Sequence, residues 1–373
     1  MQIDSLSSHS TLFQKLRNFD YILLFCILSL GLISSLSMYS TDGGEILFHT
    51  KSHIAKFLIF FSMMIFLSLF KINIWHYFSY LFYVVILFLL IWASIYGIKV
   101  SGSQRWIDLY FINLQPSELM KIAIIACLAK YYHRVQLREV NTFKHIFFSL
   151  IILILPILLV ISQPDLGTSI LIGLSGLVVM WLSGLNIKYF IYSFLTLLIS
   201  MPFAISLLKP YQKLRILTFL NPDRDPLGAG YQIIQSKIAV GSGGFTGKGF
   251  LKGTQNYLEF LPEKHTDFIF TLFAEEYGFL GSLGLLLIYI IIIYRIIKIG
   301  SISRSYFAKI FCYGYASSIF FYISVNMSMV LGLLPIVGSP LPIMSYGGSS
   351  MLATMIGFAI VMSAKINHKQ LIA

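Results

Sequence analysis

The sequence predicts an all-α, polytopic membrane protein: a bundle of about ten transmembrane helices with one long extracytoplasmic loop. Three observations lead there. Hydrophobic residues make up 57% of the 373-residue chain and charged residues only 11%, whereas soluble domains carry about 25% charged residues. Apolar runs close to the length that crosses a hydrocarbon core recur from end to end. Backbone groups in hydrocarbon have no water to bond, so such runs must be helices. The same composition excludes a soluble cytosolic enzyme, a disordered regulator and a secreted disulfide scaffold. Cys26, Cys127 and Cys312 each sit in an apolar run and are odd in number, so they read as packing residues. The formal charge of +12 would point to nucleic acid in a soluble chain. Here it bears on topology and on membrane lipids, and no nucleic-acid partner is expected.

Residues 1–20 form a polar tail that lacks the cleavage pattern of a signal peptide, and 21–373 read as one membrane domain. The apolar runs fall at 21–38, 54–70, 74–95, 117–132, 145–161, 167–182, 189–207, 267–293, 306–334 and 346–362. An even number of spans puts both termini on one face. That face carries fourteen Lys and Arg against five on the short segments opposite, the other eight of 27 lying in the loop 208–266. The positive-inside rule therefore places the termini in the cytoplasm and the polar machinery outside.

The fourth span covers only about 22 Å at 1.5 Å per residue, less than a hydrocarbon core of about 30 Å. Its N-terminus is therefore expected below the outer surface, with segment 98–116 dipping inward as a loop. The sixth span opens at the polar turn Gln163-Pro-Asp165. Two helix N-termini facing one cavity would suit an anion such as a diphosphate. The loop 208–266 holds eight glycines within 228–254 and one short amphipathic piece at 231–240. Its run Gly241-Ser-Gly-Gly-Phe-Thr-Gly-Lys-Gly249 departs from the nucleotide-binding pattern at its first glycine and after its lysine. ATP binding is not expected.

Ionisable residues within spans are the functional candidates. Asp267, opening the eighth span, fits a dipole-stabilised helix-start carboxylate as well as it fits a catalyst. Glu275 and Glu276 read as a structural polar network, and Asp165 as the N-cap of the sixth helix. Glu118 and Lys121 lie three apart on one helix face and can pair. A buried ammonium is costly unless it is paired or meets an anion, which favours a functional role for Lys121. Arg105, between Gln104 and Trp106, is a second candidate cation or an interfacial anchor. His265 has no second His or Cys at metal-ligand spacing, so zinc is not expected.

Five motifs now carry a resemblance: Gln115-Pro-Ser-Glu118, Gln163-Pro-Asp-Leu-Gly-Thr168, Asp225-Pro-Leu-Gly-Ala-Gly-Tyr231, Leu261-Pro-Glu-Lys-His-Thr-Asp-Phe-Ile-Phe270 and Pro342-Ile-Met-Ser-Tyr-Gly-Gly348. In that order they resemble the SEDS family (shape, elongation, division and sporulation), over about residues 20–368. Gln235-Ser-Lys-Ile-Ala-Val-Gly-Ser-Gly-Gly244 and Gly338-Ser-Pro-Leu-Pro342 resemble its elongation branch more than its division branch. The resemblance implies a ten-helix peptidoglycan glycosyltransferase of the bacterial inner membrane that joins lipid II units into glycan strands for cell elongation and rod shape. It implies lipid II and the nascent strand as ligands and a class B penicillin-binding protein as transpeptidase partner. It maps the family's proposed catalytic carboxylate onto Asp267, and puts Glu118, Lys121 and Arg105 on family-typical positions.

The residues agree with such a reaction, in which a sugar hydroxyl attacks an anomeric carbon bearing a lipid diphosphate. That chemistry needs a base near the outer face and cations for the departing charge. Asp267 is expected to take the proton of the acceptor's GlcNAc 4-hydroxyl. Lys121 with Glu118, Arg105, the loop lysines Lys248 and Lys264 and a divalent metal (Mg2+ or Mn2+) are candidates for the diphosphate. The product is expected to be inverted. Two alternatives belong to other classes: a flippase for the lipid-linked precursor, which would need charged residues open to both faces, and a non-catalytic scaffold of the elongation machinery.

Overall fold

The computed structural model describes residues 12–100, 103–109, 113–207, 210–225, 228–254 and 263–372. Residues 1–11 of the tail and positions 226–227 and 261–262 of two motifs lie outside them. Each of the ten expected spans coincides with a helix. They are α2 (Tyr21–Thr41), α3 (Phe48–Ser68), α4 (Ile72–Tyr96), α5 (Pro116–His133), α6 (Phe143–Ser162), α7 (Leu166–Leu182), α8 (Ile187–Leu207), α11 (Ile269–Ile302), α12 (Tyr306–Val330) and α13 (Gly348–Ile366). Seven described helices, α2, α3, α4, α6, α11, α12 and α13, are long and apolar enough to cross a membrane. Short α1 (Leu12–Arg17), α9 (Pro210–Leu220) and α10 (Ala229–Gly243) lie between or before them. The chain is a polytopic helical membrane protein.

Two layers organise the bundle. The central helix α5 buries sixteen of its 18 residues, so its polar residues face protein on every side. It packs on α4, α7, α12 and α13. Around it, α3, α4 and α6 bury only about a quarter of their apolar stretch and turn large residues such as Phe66, Phe88 and Leu158 outward. A helix apolar all round with one side unpacked is what lipid contact requires. At the end away from the site, Asp20 caps α2 through Leu23 N–H (3.0 Å) and accepts two hydrogen bonds from Arg295 Nε (3.0 and 3.1 Å), tying α2 to α11.

Four details depart from the sequence expectation. Segment 98–116 is not a plain loop. It holds a three-stranded antiparallel sheet, β1 (Ile98–Val100), β2 (Ser103–Asp108) and β3 (Asn113–Leu114), with Ile98 opposite Trp106 and Ile107 opposite Leu114. Among its described residues, the loop after α8 holds two α-helices, not one. The second span starts at Phe48 rather than 54, because the Asp42 carboxylate accepts from Thr50 N–H (2.9 Å) and holds a polar first turn that hydropathy does not register. Finally, α11 breaks at Gly278, whose φ of +64° suits glycine. Before the break every residue from Ile269 to Glu276 is buried; after it only a stripe through Leu285, Tyr289, Ile292, Ile296, Ile299 and Gly300 is.

Candidate active site

The N-termini of α5 and α7 meet. Gln115, the residue before α5, donates from Nε2 to Asp165 Oδ2 (3.0 Å), while Asp165 Oδ1 caps α7 by accepting from Thr168 N–H (3.1 Å). Arg105, carried in by β2, reaches the same Asp165 Oδ2 at 3.1 Å. The Gln115 N–H donates to Ser349 Oγ (2.8 Å), and Ser349 Oγ–H donates to the Asn113 carbonyl (2.6 Å), so the start of α13 fixes this junction. One turn into α5, Glu118 Oε1 accepts from Lys121 Nζ (2.7 Å) and Oε2 from the Tyr322 hydroxyl (2.9 Å). Lys121 Nζ also lies 4.0 Å from the centre of the Tyr322 ring. Both charges are enclosed, and each has the partner that makes enclosure tolerable.

Asp267 stands on a turn that is pinned through its backbone. The His265 carbonyl accepts from Tyr346 N–H (2.8 Å), the Thr266 carbonyl from Ser345 Oγ–H (2.6 Å) and the Asp267 carbonyl from Asn326 Nδ2 (2.9 Å). The same Asn326 amide donates to the Ser339 carbonyl (2.7 Å). Gly338, at φ +69°, lies so close that a Cβ there would stand 3.5 Å from Asp267 Oδ2. The carboxylate is half-buried. Three backbone anchors from α12 and from the segment before α13 thus fix the turn that carries this side chain.

These pieces enclose one cavity of about 750 Å³. It is lined by Arg105, Glu118, Asp165 and Asp267 from the sequence candidates, and also by Trp106, Thr218, Asp225, Gln232, Glu263 and Tyr346. Arg105 Nε, Trp106 Nε1 and Thr218 Oγ1 are buried there without a partner among the described residues. They are donors or hydroxyls of the kind that bind phosphate oxygens and sugar hydroxyls. The five carboxylates on this wall outnumber the one arginine.

The other candidates are placed elsewhere. Lys121 is 1% exposed behind Glu118, so it reaches the cavity only through that carboxylate. Lys248 also does not line it: Nζ bonds Glu275 Oε1 at 2.6 Å and Thr254 Oγ1 at 2.8 Å. Neither does Lys264. The structure thus places these three expected diphosphate cations off the wall of this cavity. Glu275 and Glu276 sit in a separate polar network: Glu275 also accepts from Thr254 N–H (2.9 Å), and Glu276 accepts from the Ser40 hydroxyl. Among the described residues no three His, Cys, Asp or Glu side chains form a group able to hold a metal ion. Sequence reasoning missed Asn326 and Tyr346, neutral residues whose roles depend on contacts across the fold.

The profile of the FtsW/RodA/SpoVE family, described as cell cycle proteins, matches residues 16–370. The peptidoglycan glycosyltransferase MrdB of Escherichia coli K12 is 40% identical over 353 residues, covering 94% of this chain and 95% of that protein. The probable peptidoglycan glycosyltransferase FtsW of Buchnera aphidicola (subspecies Baizongia pistaciae) is 35% identical over 366 residues, covering 95% of each. Among solved structures, a chain described under "Structural coordination of polymerization and crosslinking by a peptidoglycan synthase complex" superposes with a TM-score of 0.82 at 27% identity, covering 94% of this chain and 99% of that one. The rod shape determining protein RodA of Thermus thermophilus has a TM-score of 0.72 at 22% identity, over 94% and 98%, and so shares the fold. With a match over nearly its whole length and an E. coli relative at this identity, the chain belongs to the FtsW/RodA/SpoVE family of cell cycle proteins.

Proposed function

We propose that the chain is a peptidoglycan glycosyltransferase that polymerises lipid II, and that the cavity between Arg105 and Asp267 is where the glycosidic bond forms. The supporting observation is the arrangement of that cavity. A half-buried carboxylate on a pinned turn stands in the same chamber as two helix N-termini and an arginine. Asp267 takes the proton of the acceptor's 4-hydroxyl as that oxygen attacks the donor's anomeric carbon. The carbon–oxygen bond to the diphosphate breaks and its electrons leave with the lipid diphosphate. Arg105 and the α5 and α7 N-termini then face the departing charge. Glu118, fixed by Lys121 and Tyr322, lines the chamber and positions a sugar or its hydroxyl. A divalent cation would arrive on the diphosphate itself, since such ions are commonly held by one or two carboxylates plus substrate phosphates.

The same reading orients the molecule. The basic face that holds Arg295, Arg134 and both termini lies in the cytoplasm of a bacterial inner membrane, and the cavity opens to the periplasm. The partner is a class B penicillin-binding protein that cross-links the strands made here. The test is lipid II polymerisation by the purified chain, alone and with that partner carrying an inactivated transpeptidase. Glycan strands from the native chain that vanish with Asp267→Ala support both the activity and the base. Translocation of lipid II in liposomes without strands would replace this reading with a flippase. A folded chain with neither activity would leave a scaffold.

A further inference from the structure

The cavity wall is short of cations, and an unused one lies on its flank. Because α3 begins at Phe48, the residues His49, Ser52, His53 and Lys56 fall at positions i, i+3, i+4 and i+7 on one face of that helix. This polar stripe interrupts a helix that elsewhere shows Leu58 and Ile59 to lipid. It is gathered around Tyr346, a residue of the cavity wall. Lys56 Nζ donates to the Tyr346 hydroxyl (3.1 Å) and lies 4.4 Å from its ring centre, and that hydroxyl donates to Ser52 Oγ (3.1 Å). The His49 ring stacks on His265 at 4.2 Å and meets Tyr346 edge-on at 5.1 Å. His53 is wholly buried, with Nε2 2.5 Å from Ser34 Oγ and with Nδ1 lacking a partner among the described residues.

Lys56 is about 12 Å along the helix from its start, half-buried, and has no carboxylate within ion-pair distance among the described residues. Its partners there are a neutral hydroxyl and a ring. Ionisable residues within spans pair with an opposite charge or mark a substrate path, and an anion is the partner that Lys56 has not met among the described residues. We propose that Lys56, Ser52 and the Tyr346 hydroxyl form a site for a phosphate carried on a membrane lipid, with the lipid's chain lying along the exposed flank of α3. Resting on the function proposed above, the occupant of interest is the diphosphate of a polyprenyl-linked sugar. The site would hold that group beside the chamber, with Tyr346 shared between the two.

The test uses the full-length chain purified in detergent, as wild type, Lys56→Met and Lys56→Arg. Native mass spectrometry reads the retention of added polyprenyl diphosphate and, separately, of phosphatidylglycerol. Polymerisation of lipid II gives KM and kcat. The expected result is a retention of polyprenyl diphosphate that falls about tenfold in Lys56→Met, as for one lost charge-assisted contact. It should return in Lys56→Arg, and the kinetic loss should fall on KM rather than kcat. A loss confined to phosphatidylglycerol keeps the phosphate site and assigns it to bulk lipid. Unchanged retention of both lipids in a variant that melts like the wild type overturns the proposal and leaves Lys56 as a brace for Tyr346. If the wild type made no strands while retention still depended on Lys56, the enzymatic reading would fail and the lipid site would stand.

Discussion

The half-buried carboxylate of Asp267 and the enclosed carboxylate of Glu118 share one chamber but have different surroundings, and substitutions should separate their roles. The turn that carries Asp267 is held through its backbone carbonyls by Tyr346, Ser345 and Asn326. Asp267→Asn keeps the shape and those anchors, so the melting temperature should hardly move. Losing a general base costs about two to four orders of magnitude in rate, and a lipid II polymerisation assay should show a loss of that size. A near-normal rate would remove Asp267 from the chemistry. Glu118 is bound to Lys121 (2.7 Å), with both side chains nearly inaccessible. Lys121→Met leaves a carboxylate enclosed without its cation, and breaking such a pair costs about 3–5 kcal/mol. Glu118→Gln leaves the ammonium in the same position. The double variant Glu118→Gln, Lys121→Met removes both charges and should recover much of the stability lost by either alone in a thermal melt. If Glu118 also positions substrate, the double variant will be stable and still slow; full activity would reduce the pair to a structural bridge.

At the scale of elements, the glycine-rich segment 243–254 and the break in α11 explain each other. Lys248 N–H and Gly249 N–H donate to the Glu275 and Glu276 carbonyls (3.0 and 2.9 Å), and Phe279 N–H and Leu280 N–H donate to the Gly244 and Phe245 carbonyls (2.9 and 3.1 Å). A Cβ on Gly243, Gly247 or Gly278 would run into the backbone of Ala274, Glu276 or Gly247 respectively. The glycines are there because two backbones touch, not because a nucleotide binds. Gly278→Ala combines that collision with a φ of +64°. Strained conformations of this kind cost about 1–3 kcal/mol each, so the variant should melt lower and expose 243–254 to protease. An unchanged digestion pattern would show that the clamp is not made. The sequence made the ten helices legible because long apolar runs leave a strong signal, and it located the α5 N-terminus through the shortness of run 117–132 and that of α7 through Asp165. It did not disclose the sheet at 98–114, whose outer strands run only three and two residues and whose six-residue β2 shows no alternation of burial. Nor did it give the start of α3, whose first turns carry His49, Lys51, His53 and Lys56, or the bond from Lys248 to Glu275, a pairing made only by tertiary approach.

For the whole molecule, charge asymmetry and internal distance together predict one orientation. Arg295 on α11 is bonded to Asp20 at the start of α2, and Glu275 lies about 20 residues earlier, roughly 30 Å along a helix, the thickness of a hydrocarbon core. The two polar networks on α11 therefore mark opposite membrane faces, and the cavity with Asp267 lies on the Glu275 side. Under the function proposed above, the excess of lysine and arginine on the Arg295 side predicts that this side faces the cytoplasm. The three native cysteines are all buried, so a single introduced cysteine should report its own accessibility above a low background. Ser242→Cys occupies an exposed position at the end of α10, on the cavity side; Leu137→Cys occupies an exposed position between α5 and α6, on the other. Neither touches the chamber. In spheroplasts treated with a membrane-impermeant maleimide, Cys at 242 should react while the membrane is intact. Cys at 137 should react only once the membrane is opened. The reverse pattern would put the chamber in the cytoplasm, where it could not extend a strand outside the cell. Labelling of both positions in sealed spheroplasts would argue against a fixed orientation.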